Sequence, residues 1–247
     1  STQTEPLIGI QSYSLPDGAE PFGVSSTDDY IWLTDPVRQK FIRMPLNNSR
    51  FTLIKDPTND DGGTAQPDDF QLTIGGNPAT SGTAYTLMAN TPYAIDETVV
   101  EGYEFVSITG DAKCPAVLGG MVTLDEGDDI TCTITNDDIA PKLTLIKDPT
   151  NDDGGTAQPD DFQLTIGGNP ATSGTAYTLM ANTPYAIDET VVEGYEFVSI
   201  TGDAKCPAVL GGMVTLDEGD DITCTITNDD VTPNPDSYFI YIPIARK

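Results

Sequence analysis

Apolar and polar residues alternate with a period of two along most of this chain, which is the pattern of strands that bury one face. Clusters of Gly, Pro, Asn and Asp separate the alternating segments, and no segment sustains the period of 3.6 residues of an amphipathic helix. Between residues 51 and 135 the pattern predicts strands at 51–55, 70–74, 83–88, 93–99, 103–108, 121–124 and 130–135. Short strands joined by turn clusters predict an all-β fold, with a β-sandwich as its unit.

The sandwich unit occurs twice. Residues 52–138 recur without a change as residues 144–230, so that Thr52 corresponds to Thr144, a shift of 92 positions. This period is too long for a solenoid repeat and suits a small domain. We therefore predict four parts: an N-terminal β-rich segment at 1–50, sandwich repeats at 51–139 and 143–231, and a C-terminal tail at 232–247.

The segments outside the repeats also carry strand signals. A strand-then-turn signal covers residues 11–18, and short strands are predicted at 20–24, 30–34 and 40–44. Residues 10–44 resemble one blade of virginiamycin B lyase-like propellers, but one blade cannot close a propeller and we expect no lyase activity. The tail is a proline spacer followed by a β-prone strand at 237–244. This strand is expected to close the second repeat, to add to a sheet of a neighbouring subunit, or to serve as an export or anchoring signal.

Charge and composition exclude several functions. The net charge is −28, and each repeat contributes 16 acidic residues against 2 lysines. Such a surface repels nucleic acid and anionic lipid. The chain contains no histidine, which excludes a Ser-His-Asp hydrolase and a histidine-ligated zinc enzyme. No apolar run approaches the roughly 20 residues of a membrane-spanning helix.

The four cysteines form one pair per repeat, Cys114 with Cys132 and Cys206 with Cys224. In a small β-rich module such a pair predicts a disulfide made in an oxidising compartment, worth about 3 kcal/mol in the chain-entropy model. A cysteine-only zinc site would need ligands from both repeats at once and is the alternative. The pairs therefore predict a secreted or cell-surface protein.

Alternation places three polar residues of the repeat on otherwise apolar faces. They are Lys55, Glu97 and Asn136. The apolar residues that share their faces are Phe51 and Leu53 for the lysine, Tyr93, Ile95 and Val99 for the glutamate, and Ile130, Cys132 and Ile134 for the asparagine. Because buried ionisable groups are costly unless they are paired, the three residues are expected to meet.

Their chemistry predicts an intramolecular isopeptide bond between Lys55 Nζ and Asn136 Cγ. Burial disfavours the charged forms of an amine and of a carboxylic acid, and a neutral amine is a nucleophile. Glu97 is the predicted acid that polarises the amide and moves the proton as ammonia leaves. The corresponding residues of the second repeat are Lys147, Asn228 and Glu189. The alternative is a buried Lys–Glu ion pair, with Asn136 hydrogen-bonded to loop amides.

The stretch Tyr93-Ala-Ile-Asp-Glu-Thr-Val-Val-Glu-Gly-Tyr103 resembles the glutamate motif of the B-type, prealbumin-like domains of collagen-adhesin surface proteins and pilins of Gram-positive bacteria. The strands that carry Lys55 and Asn136 are similar to the opening and closing strands of that family. The resemblance implies tandem Ig-like or prealbumin-like sandwiches that form isopeptide bonds. It departs where Val99 and Val100 replace Ala-Pro, and in the added cysteine pair.

Together these patterns predict a secreted structural protein, a stalk or a subunit of an extracellular fibre that assembles head to tail with copies of itself. The alternative is an adhesin whose segment around Trp32 binds a surface or matrix ligand. Multiple-turnover catalysis is not expected. No cofactor or metal is predicted; Ca²⁺ at the acidic turns 56–63 or 125–129 stays open, although neither fits EF-hand spacing. Residues 47–49 match a glycosylation sequon.

Overall fold

The computed structural model describes residues 11–14, 24–26, 30–35, 40–45 and 49–232, with side chains from residue 49 onward. Every regular element in these ranges is a strand, apart from two single turns of 3-10 helix. The structure divides into two compact units, one centred on each repeat. The predicted all-β fold is confirmed.

The N-terminal segment forms one antiparallel sheet of four strands. Its order is β1-β4-β3-β2. Trp32 lies on β3, opposite Ser25 and Arg43. The strands are β1 (Gln11–Ser14), β2 (Val24–Ser26), β3 (Tyr30–Asp35) and β4 (Lys40–Pro45). Of the strand predicted at 20–24, only Val24 lies within the described residues.

The first repeat forms two sheets of four strands. The first has the order β10-β12-β5-β8 and the second the order β11-β9-β6-β7. The strands are β5 (Arg50–Thr58), β6 (Leu72–Ile74), β7 (Asn77–Ala79), β8 (Ala84–Thr86), β9 (Pro92–Glu97), β10 (Tyr103–Gly110), β11 (Met121–Thr123) and β12 (Asp129–Asp138). The first and last strands of the repeat are thus neighbours in the middle of one sheet.

The second repeat has the same topology, with sheets β16-β13-β20-β18 and β15-β14-β17-β19. In the first of these, β13 and β20 run parallel over nine paired positions, from Lys142 opposite Asp221 to Thr150 opposite Asp229. The strands are β13 (Lys142–Thr150), β14 (Leu164–Ile166), β15 (Asn169–Ala171), β16 (Ala176–Thr178), β17 (Pro184–Glu189), β18 (Tyr195–Gly202), β19 (Gly212–Thr215) and β20 (Asp221–Asp230).

The inward faces of the strands build one apolar core in each repeat. Burial follows the predicted alternation along β12, where every second residue from Ile130 to Asp138 is buried. Burying one such aliphatic or aromatic side chain contributes about 1.5–3 kcal/mol. The buried core of the first repeat comprises Phe51, Leu53, Leu72, Ile74, Ile95, Ile108, Val122, Leu124, Ile130, Cys132 and Ile134.

The structure corrects two details of the predicted strands. The prediction did not include β7, because its sequence Asn-Pro-Ala after two glycines is typical of a turn. The placement of Val99 on the core face was wrong, since its side chain is 92% exposed. Strand β9 ends at Glu97, so the alternation that buries Ile95 does not extend two residues further.

Some predictions concern residues outside the described ranges. They are the tail strand at 237–244, the side chain of Trp32 and the sequon asparagine at position 47. Ser49 is described and is wholly buried. Its hydroxyl donates to the carbonyl oxygen of Asp125 at 2.8 Å and accepts the N–H of Gly127 at 3.2 Å.

Candidate functional site

The central pair of strands brings a lysine and an asparagine to the same face of the sheet. In the second repeat Lys147 lies opposite Ile226, and Asn228 follows two residues further along β20. Side chains two residues apart on a strand point to the same side, so a long side chain on β13 reaches its diagonal neighbour on β20. The first repeat has the same strand order, with β5 beside β12.

The predicted triad is assembled in the core of each repeat. Lys55 Nζ donates a hydrogen bond to Asn136 Oδ1 and lies 3.0 Å from Glu97 Oε2. The side chains of Lys55 and Glu97 are 0% and 2% exposed, and Asn136 as a residue is 4% exposed. In the second repeat Lys147 likewise donates to Asn228 Oδ1 and lies 3.0 Å from Glu189 Oε2.

The carboxylate comes from the opposite sheet of the sandwich. Glu97 is the last residue of β9 and pairs with Leu72 of β6, whereas Lys55 and Asn136 belong to the other sheet. The three functional groups therefore meet only when the two sheets pack face to face. The arrangement is a product of the sandwich as a whole and not of one hairpin.

An aromatic ring covers the amine. Lys55 Nζ lies 4.0 Å from the ring centroid of Phe70, and Lys147 Nζ lies 4.2 Å from that of Phe162. Both rings are 3% exposed, so they separate the amine from solvent. Phe70 was not among the predicted site residues. The available signal was its period-two spacing with Leu72 and Ile74, which predicts an inward side chain.

Burial shifts the lysine toward its neutral form. Desolvation lowers the pKa of Lys55 below its ordinary value, although Glu97 and Asp56 act in the opposite direction. The pKa of Lys147 is lowered for the same reason, opposed by Glu189 and Asp148. A dry amine with a lowered pKa is the form in which lysine acts as a nucleophile.

The carboxylate of Glu97 lies close to the lysine amine but is not well aligned for a hydrogen bond to it. Although Lys55 Nζ is within ion-pair distance, Glu97 Oε2 has no aligned hydrogen-bond donor among the described residues, and the same is true of Glu189 Oε2. At 3.0 Å the two groups form an ion pair, and a small rotation of either side chain would align a hydrogen bond between them. A carboxyl group in this position can exchange a proton with the amine and with the neighbouring amide.

A disulfide links strand β12, which carries Asn136, to the loop that contains Cys114. Cys114 bonds Cys132, with Cα atoms 5.7 Å apart, and Cys206 bonds Cys224 with the same separation. Cys132 is 0% exposed and lies on β12, four residues before Asn136. The predicted disulfides are confirmed, and the cysteine-only zinc alternative is wrong.

The loop amides are satisfied by an aspartate and not by the asparagine. Asp138 accepts the N–H of Asp61 at 3.1 Å and that of Gly63 at 2.6 Å. A Cβ on Gly63 would lie 2.7 Å from Asp138 Cβ, which explains the glycine. Asp138 was not among the predicted site residues, although its spacing of two from Asn136 along the strand predicts an inward side chain.

In the second repeat Asp230 has the same role toward its own turn. It accepts the N–H of Asp152 at 2.9 Å, that of Asp153 at 3.1 Å and that of Gly155. Burial raises the pKa of Asp230, but the backbone N–H groups of Gly155, Asp153 and Asp152 outweigh burial and hold it below its usual range. The charged form of this aspartate therefore anchors the turn at neutral pH.

Of the two acidic turns, the one at 125–129 is closed by a lysine. Lys113 Nζ pairs with Asp125 at 2.7 Å and with Asp128, and Lys205 pairs in the same way with Asp217 and Asp220. Hydrogen bonds to Asp125 and Asp128 raise the pKa of Lys113. The carboxylates of this turn thus have a lysine ammonium group as their positively charged partner.

The other acidic turn brings three carboxylates together. Oxygen atoms of Asp60, Asp137 and Asp138 lie within 4.8 Å of one another, and so do those of Asp152, Asp229 and Asp230. Among the described residues, these are the two groups of acidic side chains with the spacing of a cation site.

A model of the prealbumin-like fold domain family matches residues 47–134 and again residues 138–226. Curated protein sequences show no match. The structure is similar to the Bacillus anthracis TIE protein, with 13% identity over 82% of this chain and 41% of that chain, and a TM-score of 0.40. It is also similar to the major pilin from Streptococcus pyogenes, with 14% identity over 75% of this chain and 100% of that chain, and a TM-score of 0.32.

A third similar structure is the pilus adhesin SpaC from Lactobacillus rhamnosus GG, with 17% identity over 84% of this chain and 34% of that chain, and a TM-score of 0.30. The chain thus spans less than half the length of the TIE protein and of SpaC. Within the described residues, no helix has the length and hydrophobicity needed to cross a membrane.

Proposed function

Because this chain belongs to the prealbumin-like fold domain family through both of its repeats, we propose that it is a structural module of a bacterial surface fibre or stalk, and that each repeat closes an isopeptide bond in its core. The observation that carries the proposal is the buried triad of lysine, glutamate and asparagine, present in both repeats with a 3.0 Å lysine–glutamate separation in each. The disulfides support assembly in an oxidising, extracellular location.

The reaction is a single intramolecular transamidation. The neutral amine of Lys55 attacks Cγ of Asn136, and the electron pair of the carbonyl moves onto Oδ1. Glu97 takes the proton from the attacking nitrogen and delivers it to the leaving –NH₂ group, so that ammonia departs as the Nζ–Cγ amide forms. No oxidant, cofactor or metal takes part. Because the groups are already in contact, proximity supplies most of the acceleration.

The position of the bond suits a module that carries tension. Lys55 lies on the first strand of the repeat and Asn136 on the last, 81 residues apart in sequence. A force that enters near residue 50 and leaves near residue 138 would pass through the new amide. The intervening residues would then carry no load and could not be pulled out. Each repeat reacts once, so the chemistry is maturation and not enzymatic turnover.

The intact mass of the reduced chain tests the bond. We expect the wild type to lack the mass of two ammonia molecules, one per repeat. Replacing Glu97 and Glu189 together by glutamine should retain both ammonia masses, because an amide cannot move the proton. Replacing the exposed Glu104 and Glu196 removes the same charge from β10 and β18 and should leave the ammonia loss unchanged. A wild-type chain with its full sequence mass would refute the proposed bond.

We further propose that the modules assemble head to tail through their terminal segments. The tail at 237–244 supports this proposal, since an isolated β-prone strand tends to pair with an exposed sheet edge. A contact that joins two different surfaces and does not close generates a filament.

Electron microscopy of purified protein tests this assembly. Filaments are expected from the wild type and are expected to disappear when residues 237–247 or residues 1–15 are deleted. Circular dichroism of the deleted proteins should still show folded repeats, which separates lost assembly from unfolding. Filaments that persist in both deletions would contradict terminal joints while leaving the isopeptide proposal untouched.

A further inference from the structure

Near the end of β12, and again of β20, one carboxylate oxygen is buried without a hydrogen-bond partner among the residues that the structure describes. Asp137 Oδ1 has an accessible surface below 1 Å² and accepts no hydrogen bond within the described ranges, and the same is true of Asp229 Oδ1 in the second repeat. Such an oxygen costs free energy unless a proton or a cation reaches it. The orphaned atom belongs to a side chain that faces two other carboxylates, those of Asp60 and Asp138.

The charges around Asp137 and Asp229 are also mostly negative. Desolvation raises the pKa of Asp137, and the nearby charges of Asp60, Asp138 and Asp61 raise it further. The pKa of Asp229 is raised by desolvation and by Asp152, Asp230 and Asp153. Like charges are thus held together around a group that lacks a positive partner.

The backbone keeps the three carboxylates from separating. Asp138 is 4% exposed and is fixed by the N–H groups of Asp61 and Gly63, while Asp137 precedes it on β12. Asp60 lies in the turn that those two hydrogen bonds hold against the strand. The geometry is therefore built before any ligand arrives, and it occurs twice in the chain.

We propose that Asp60, Asp137 and Asp138 bind one Ca²⁺ ion, and that Asp152, Asp229 and Asp230 bind a second. Three carboxylates with water in the remaining positions suit a hard cation, and Ca²⁺ tolerates irregular oxygen geometry better than Mg²⁺ does. The ion would give Asp137 Oδ1 a positively charged partner, and it would connect the turn that contains Asp60 to strand β12. This inference does not depend on the isopeptide bond.

Titration calorimetry of the full chain with CaCl₂, after treatment with a chelator, tests the site. We expect two sites per chain with a dissociation constant of about 10⁻⁴ to 10⁻³ M, the range of extracellular calcium modules. Ca²⁺ should also raise the unfolding temperature, because it binds only the folded state.

Matched variants distinguish a specific Ca²⁺ site from nonspecific screening of the protein's negative charge by salt. Replacing Asp60 and Asp152 by asparagine should weaken binding at least about tenfold, because the charge count of the ligands sets the affinity. These side chains are exposed, so the variant is expected to fold. Replacing the exposed pair Asp68 and Asp160 by asparagine removes equal charge from the 3-10 turns and should leave binding unchanged.

Two results would overturn the inference. One is the absence of binding heat at millimolar CaCl₂ in the wild type at neutral pH, which would mean that the three carboxylates do not form a Ca²⁺ site. The other is an equal response of all variants to CaCl₂ and MgCl₂, which would mean nonspecific screening. If Asp60→Asn and Asp152→Asn together proved unfolded, Asp137→Asn with Asp229→Asn would provide the same comparison.

Discussion

Replacing Asn136 and Asn228 together by alanine is expected to destabilise each repeat by about 4.5 kcal/mol, the chain-entropy value for a cross-link that closes an 81-residue loop. For domains of this size the loss corresponds to a fall in unfolding temperature of about 20 °C. The lysine–glutamate pair stays in place in this variant, so no buried charge is left without a partner. Guanidinium unfolding, monitored by circular dichroism, measures the change.

The control for this variant is the replacement of Asn77 and Asn169 by alanine. These asparagines lie on β7 and β15 and are exposed, so their loss should change the free energy of unfolding by less than about 0.5 kcal/mol. If both double variants shift stability equally, the asparagines of the core form no cross-link. The intact mass of the same samples should show ammonia loss only in the control.

Reducing the two disulfides is expected to destabilise each repeat by about 3 kcal/mol, since each closes a loop with a separation of 18 residues. This loop lies inside the larger loop between Lys55 and Asn136. It shortens the larger loop only to roughly 64 residues, so the two contributions are nearly independent in the same model. Denaturant unfolding in the presence and absence of a reductant measures the effect.

A variant with all four cysteines replaced by alanine separates the disulfide from the isopeptide bond. Its ammonia loss should remain complete, because the triad does not include sulfur. Its stability should fall slightly further than that of the reduced wild type, because Cys132 and Cys224 are wholly buried and their removal leaves small cavities. Incomplete ammonia loss in this variant would show that the disulfide must form first to position β12.

Sequence alternation was sufficient to place Lys55 and Asn136 on inward faces of their strands. Lys55 and Asn136 occupy inward positions among apolar neighbours, and a period of two makes such exceptions visible. The same reasoning failed at Val99, because a strand pattern does not reveal where the strand ends. On β12 the inward series continues to Asp138, which is buried and was not among the predicted site residues.

The sequence by itself determined the duplicated modules, the all-β class, the cysteine pairs and the faces on which the polar residues lie. These follow from local alternation and from identity at a fixed shift. Only the tertiary structure decided that β13 pairs in parallel with β20, that Glu97 reaches the lysine from the opposite sheet, and that Asp138 fixes the acidic turn. The physical reason is that alternation specifies the face of a residue, whereas strand order, register and sheet packing depend on contacts between residues far apart in the chain.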